Sequence, residues 1–139
     1  MSNKKYLIGK VPAVEAKDFR MNPAELLNFF PGKTFELKRV YWIDNPKGNK
    51  KSGQHCHTDE DEIFIVIKGN VIMLLDDGGG KEEIKLTENN IVWVPKLVWH
   101  GFEHLSDDSI ILALSSTNYD SERKGYVEDY SDFLKLVGK

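Results

Sequence analysis

From Phe35 onward, short apolar or alternating segments are separated by clusters of Gly, Pro, Asn, Asp and Lys. That rhythm has the period of two expected of strands, not the 3.6 of helices. It predicts strands over Phe35 to Ile43, Ile63 to Ile67, Val71 to Leu75, Glu82 to Leu86, Ile91 to Val94, Val98 to Phe102 and Ile110 to Leu114, with one more beginning around His55 and His57. Asp44 to Gly53, with Pro46, Gly48 and Gly53, reads as a loop. Lys68-Gly69-Asn70 and Asp76 to Gly80 read as turns, the second a hairpin tip. Ile63 to Ile67 is apolar on both faces, which predicts burial on both sides, by a second sheet or by a dimer partner. The ends differ: Asn22-Pro23-Ala24-Glu25 has the order of an N-cap, a proline at the first helical position and a supporting glutamate, predicting a short helix to Phe30. The tail from Asp120 is expected to hold another helical turn or two. The fold class is therefore all-β, two packed antiparallel sheets with short N- and C-terminal helical segments.

Composition bounds this picture. A chain of 139 residues with 40% hydrophobic content is the size of one domain spanning 1–139 and can bury a core without staples. No apolar run approaches the roughly 18 residues of a membrane span, and Met1 to Lys10 lacks a signal-peptide apolar stretch, so a cytoplasmic protein with no membrane partner is expected. Cys56 stands alone, which excludes an intrachain disulfide. A net charge of -3 argues against a nucleic-acid partner, which needs a basic face, but leaves room for a local cationic pocket and a phosphorylated small molecule.

Strand alternation puts His55 and His57 on one face and Cys56 on the other, so Cys56 reads as a packed residue and not as a nucleophile. Glu62 opens the next strand, sharing a face with Phe64 and Val66, and Gly69 closes it. Pro95 precedes His100 by five residues. Three imidazoles and a carboxylate in one pocket fit two chemistries: a divalent metal held by His55, His57, Glu62 and His100, or proton transfer by a histidine. The acidic run Asp59 to Glu62 is read mostly as a solvated turn, and Lys47, Lys50 and Lys51 as loop solvation.

This His-x-His, Glu, Gly and Pro-x-x-x-x-His order resembles the cupin pattern that lines the mouth of a jelly roll. Its neighbourhood narrows the likeness: FELKRVYWI at 35 to 43, SGQHCHTDEDE at 52 to 62, GNVIMLLDDG at 69 to 78, VPKLVWHGF at 94 to 102 and LALSSTNYD at 112 to 120. Over about Thr34 to Val137 the chain resembles the WxcM-like cupins that act as dTDP-4-keto-6-deoxyglucose 3,4-ketoisomerases. The resemblance implies a homodimeric jelly roll that needs no metal or organic cofactor. It implies a dTDP-linked 4-keto-6-deoxy sugar as substrate, whose carbonyl moves to the neighbouring carbon before an aminotransferase acts. His55 matches the family's base, which takes a proton from C3 and returns one at C4. His57 would orient the sugar or relay protons, and Tyr41, fourteen residues before His55, would polarise a sugar oxygen. Arg39, on the face of Tyr41, would meet the diphosphate. Arg20, Glu62, Trp99 and His100 complete the expected substrate-binding set.

The chain departs from the family at three places. Ser52 stands where the family has an arginine before its glycine, with Lys50 or Lys51 as substitutes that offer a point charge in place of a fork. Asp61-Glu62 replaces a common Glu-Gln, which restores the metal-type ligand set. Arg20 aligns loosely with the arginine of the family's N-terminal strand. A non-catalytic cupin that binds a nucleotide sugar is a third reading.

Overall fold

The computed structural model describes residues 4–45, 48 and 51–139. In chain order the elements are β1 (Leu7–Lys10), β2 (Val14–Glu15), β3 (Arg20–Met21), α1 (Leu26–Phe29), β4 (Arg39–Asp44), β5 (Lys51–His57) and β6 (Glu62–Lys68). They continue with β7 (Val71–Asp76), β8 (Glu82–Leu86), β9 (Asn90–Val94), β10 (Trp99–Glu103), β11 (Ile110–Ser115), β12 (Tyr126–Val127) and α2 (Tyr130–Leu136). One five-stranded sheet runs β1-β9-β6-β11-β4, a second β12-β5-β10-β7-β8, and β2-β3 form a separate ribbon. All pairings are antiparallel. These are the two packed antiparallel sheets that the hydrophobic rhythm predicts, and the jelly roll that the resemblance implies.

The core lies between the sheets, because alternate residues of each strand point inward. Phe64, Val66, Val92, Val94 and Ile111 from one sheet meet Met73, Leu75, Leu86 and Phe102 from the other. The second face of β6 is covered by the N-terminal segment: Ile63 and Ile65 pack with Val11, Phe30, Ile91 and Trp93, and Phe35 stacks on Trp93 at 5.6 Å. Burial on both faces thus holds for Ile63 to Val66, whereas Ile67 is exposed because β9 pairs with β6 only as far as Ile65.

Several boundaries differ from expectation, each for a tertiary reason. Phe35 leaves the strand to reach Trp93, so β4 starts at Arg39. The helix begins at Leu26; Glu25 occupies the N-cap without a side-chain cap, and the Asn22 amide instead bonds the Pro12 carbonyl at 3.5 Å. Lys51 to Gly53, read as loop, pair with β10. The loop reading of Pro46, Lys47 and Lys50 lies outside the described residues. The tail contains a strand as well as a helix: β12 pairs with the end of β5, and α2 follows, capped by the Asp129 carboxylate, which accepts from the Ser131 and Asp132 amides. Gly69 turns at φ +83, and a Cβ there would lie 2.4 Å from the Ser106 hydroxyl, so a glycine is required.

Candidate active site

The inward faces of β4, β5, β6 and β10 converge at one end of the roll. Tyr41 and Arg39 come from β4, His55 and His57 from β5, Glu62 from β6 and His100 from β10. His55 and His100 are direct cross-strand partners, and immediately beyond them the register shifts. Gln54 takes φ 76 at this bulge, and a Cβ on Gly101 would meet the Gln54 amide nitrogen at 2.7 Å. The bulge aims the imidazoles into the roll. They border a cavity of about 400 Å³, in the size range of a small-molecule site, whose wall includes Arg39, Tyr41, His55, His100, Arg123 and Tyr126.

A chain of polar contacts runs behind this wall. His55 Nε2 lies 3.0 Å from His57 Nε2. His57 Nε2 lies 3.0 Å, and His100 Nε2 3.5 Å, from Glu62 Oε1. Tyr41 donates its hydroxyl proton to Glu62 Oε2. His100 Nδ1 donates to the Val98 carbonyl at 3.0 Å, which fixes the ring and turns Nε2 toward Glu62. On the far side of His57, Nδ1 is 3.6 Å from Glu60 Oε1, and Glu60 accepts from Arg39 Nη2 at 3.1 Å and Thr117 Oγ1 at 2.7 Å. Glu62 Oε1, His57 Nδ1 and Arg39 Nε have no aligned hydrogen-bond partner among the described residues. Three under-satisfied buried polar atoms at one place suit a site that receives a polar ligand.

Electrostatics separate the groups. Burial, then His100 and His57, push the His55 imidazole down from 6.5 to about 3. His55 is therefore neutral at physiological pH, with a lone pair to offer. Burial alone would raise Glu62, but His100 and His57 overcome it and hold the carboxyl well below the usual range. Glu60 is raised, by burial and then by Glu62. Tyr41 is raised by burial and by the Glu62 charge, so its proton stays on. The arrangement offers a neutral base at the cavity, a fixed anion behind it and a hydroxyl between.

The family model FdtA: WxcM-like, C-terminal matches residues 14–138. The chain belongs to this family. The match begins at residue 14, earlier than the likeness over 34 to 137 read from the motifs. Within the WxcM-like group, the chain is 32% identical to the TDP-4-oxo-6-deoxy-alpha-D-glucose-3,4-oxoisomerase of Aneurinibacillus thermoaerophilus over 106 residues, 76% of this chain and 75% of that one. The structure matches WlaRA, a TDP-fucose-3,4-ketoisomerase from Campylobacter jejuni, with TM-score 0.80 and 28% identity over 97% of both chains. It matches WlaRB, a TDP-quinovose 3,4-ketoisomerase from the same organism, with TM-score 0.80 and 27% identity over 95% of this chain and 98% of that one.

Of the residues expected at the site of this WxcM-like chain, His55, His57, Tyr41, Arg39, Glu62 and His100 come together. Trp99 does not. It precedes His100 on β10, so alternation turns it to the outer face, where it packs against Tyr130 and Phe133. Arg20 lies on the exposed β2-β3 ribbon and does not line the cavity. Lys51 points to Glu103 at the surface, whereas Ser52 lines the cavity. Lys50 is outside the described residues.

The acidic run is a second correction: Glu60 is 3% exposed, because the turn that it sits in folds inward onto Arg39 and Thr117. Tyr126 and Arg123 were not anticipated. Tyr126 stacks on His55 with ring centres 4.9 Å apart, and the Arg123 guanidinium lies 4.2 Å from the Tyr126 ring centre. Their sequence signal is only the aromatic pair in GYVEDY, too short to announce a strand that exists by pairing with β5.

Proposed function

We propose that this chain is a 3,4-ketoisomerase of a dTDP-linked 4-keto-6-deoxyhexose, working by histidine-mediated proton transfer through an enediolate. The observation that carries the reading is His55: neutral, bordering the cavity, and in contact through His57 with the Glu62 anion. The base takes the C3 proton, the electrons form an enediolate with its charge on O4, the O3 hydroxyl proton passes to O4, and protonation at C4 leaves the carbonyl at C3 and a hydroxyl at C4. An anionic diphosphate substrate brings negative charge to the cavity, which raises the basicity of His55 toward the operating pH. His57 positions His55 against the Glu62 anion, its Nε2 lying 3.0 Å from His55 Nε2 and 3.0 Å from Glu62 Oε1. For Tyr41 to polarise a sugar oxygen, its hydroxyl turns from Glu62, which His57 and His100 continue to hold. The near-equal likeness to a TDP-fucose and a TDP-quinovose isomerase supports the activity that those two share.

In this reading the chain is one domain over residues 1–139 in the cytoplasm, where nucleotide sugars are made. It feeds a 3-keto sugar to an aminotransferase for deoxyamino sugars of lipopolysaccharide or other glycans. Among the described residues no helix is long and apolar enough to cross a membrane. It acts as a homodimer: β4 is an edge strand whose outer face exposes Val40 and Trp42 beside Leu114 and Leu112 of β11, an apolar surface that a second copy would cover. Sedimentation at the mass of two chains tests this.

The activity is tested by incubating the protein with dTDP-4-keto-6-deoxyglucose in heavy water and following the sugar by NMR. The expected result is the 3-keto isomer with deuterium at C3 or C4; absence of both would sink the reading. A second reading rests on a separate observation. The ligand nitrogens of His55, His57 and His100 lie within 4.8 Å of one another, beside the under-satisfied Glu62 Oε1. This donor set fits a divalent metal, which would supply Lewis-acid polarisation of a carbonyl. Stoichiometric metal in the purified protein, with isomerisation lost on chelation and restored by the metal, favours that reading.

A further inference from the structure

We propose that Arg123 anchors the diphosphate of the substrate at the mouth of the cavity. The inference deepens the ketoisomerase reading and rests on it. Among the described residues two arginines line the cavity, Arg39 and Arg123. Arg39 is largely committed: its Nη2 bonds the Glu60 carboxylate and the Ser115 hydroxyl, its side chain is 16% exposed, and its Nε, without an aligned partner among the described residues, is buried. Its charge is offset where it stands, and drawing it out would leave Glu60 buried without its partner. Ser52, also in the lining, brings no charge. Among the described residues that leaves Arg123 to meet an anion.

Arg123 is placed for the task. Its side chain is 53% exposed, and its bond to Glu128 Oε1 at 2.8 Å is a rim ion pair of the kind that exchanges readily with solvent and ligands. That bond uses Nε, and among the described residues no hydrogen bond occupies the two terminal nitrogens, which can form the fork that a phosphate accepts. Tyr126 carries the guanidinium over its ring and stacks on His55, so the anchor and the base share one aromatic neighbour. A nucleotide-linked hexose needs the two close together: its reacting C3 lies in the same ring as C1, two carbons from the atom that carries the diphosphate.

The backbone is built to present the residue. Arg123 adopts φ 55, a left-handed conformation that glycine takes without cost. Asp120 holds it there, accepting from the Glu122 amide at 2.9 Å and the Lys124 amide at 3.2 Å, while the Arg123 amide bonds the Asp120 carbonyl at 3.0 Å. The next anchor is the Gly125 carbonyl, which accepts from the Thr58 amide at 2.8 Å. A strained non-glycine residue in a fastened loop at a cavity mouth marks function sooner than packing.

The test is calorimetric binding of TDP and of thymidine to the full chain, alongside isomerase kinetics, for the wild type, Arg123→Gln, Arg123→Gly and Lys124→Gln. The glycine variant relieves the left-handed backbone, so a loss that it shares cannot come from a misfolded loop. Expected is a weakening of TDP binding by about tenfold or more in both Arg123 variants. Thymidine binding should be unchanged, KM should rise with little change in kcat, and Lys124→Gln should behave as wild type. Unchanged TDP affinity in both Arg123 variants, or an equal loss for TDP and thymidine, overturns the proposal while leaving the isomerase reading intact. Wild-type protein that binds TDP through Arg123 yet does not isomerise the sugar supports the anchor and sinks the activity. Wild-type protein that binds no TDP overturns the anchor.

Discussion

β5 and β10 separate two buried surfaces that differ in nearly everything except burial. Their inner face carries His55, His57 and His100 against Glu62, with polar atoms left under-satisfied. Their outer face carries Cys56 and Trp99, which pack with Leu74 and with Phe133 of α2 into an apolar cluster. Adjacent residues of one strand thus do opposite work. The outer face gains from removing apolar area from water, roughly 2–3 kcal/mol for a side chain the size of Phe133. The inner face spends stability, since each imidazole and carboxylate is desolvated and only partly repaid by its neighbours. A protein keeps such an arrangement where the groups have a task, so this contrast marks the inner face as the site.

Two substitutions break the comparison most sharply. His55→Asn removes the proposed base, and kcat should fall by about a hundredfold to ten-thousandfold, with the circular dichroism spectrum and melting cooperativity retained. An active His55→Asn enzyme would end its assignment as base. Phe133→Ala acts on the other face: it leaves a cavity between α2 and β5, and urea denaturation should show a loss of about 3–5 kcal/mol. Its kcat, measured well below the melting transition, should stay within about threefold of wild type if the outer surface is packing alone. A collapse of kcat in a folded Phe133→Ala protein would mean that α2 holds the site through β5.

The two faces were unequally legible in the sequence. Alternation alone separates His55 and His57 from Cys56, and it also places Phe64 and Val66 inside. The same rule, applied to β10, would have excluded Trp99 from the site, since it neighbours His100. Trp99 enters the expected set only through the family-like VWH segment, a resemblance that carries no strand phase. Glu60 was missed for a different reason. A polar turn is solvated by default, and only the long-range partners Arg39 and Thr117, 21 and 57 residues away, bring it inside. Tyr126 and Arg123 depend on β12, a two-residue strand with no local pattern of its own. Local periodicity therefore announced the strands that form the walls, and not the short segment that closes the mouth.

Acidity sharpens the comparison on a smaller scale. His55 is depressed to about 3 in the folded state against 6.5 when free, so below pH 6.5 the unfolded chain takes up a proton that the folded chain refuses. This contribution is intact above pH 6.5 and is lost progressively as pH falls toward 3. The Glu62 carboxyl, held below its ordinary 4.5, adds a second loss that begins only below that value. Denaturation free energy should thus decline by on the order of 2 kcal/mol between pH 6.5 and 5 because of His55. In His55→Asn this upper part of the decline should flatten, while the part below pH 4.5 persists. An unchanged slope in the variant would place the acid sensitivity elsewhere.

The smallest expected effect is the most pointed control, because it alters the residue between the two histidines. Cys56 is fully buried on the outer face, and burial pushes its thiol up to about 11. At neutral pH it is therefore a protonated thiol, poor as a nucleophile or a metal ligand. Cys56→Ala removes one sulfur from the cluster beneath α2 and should cost about 1 kcal/mol in urea denaturation. Isomerisation and TDP affinity should match the wild type, since the substitution leaves the β5 backbone pairing with β10 and β12 in place. A Cys56→Ala protein that folds with wild-type stability but loses turnover would contradict the separation of faces, because the effect could then reach His55 and His57 only through the chemistry of the thiol.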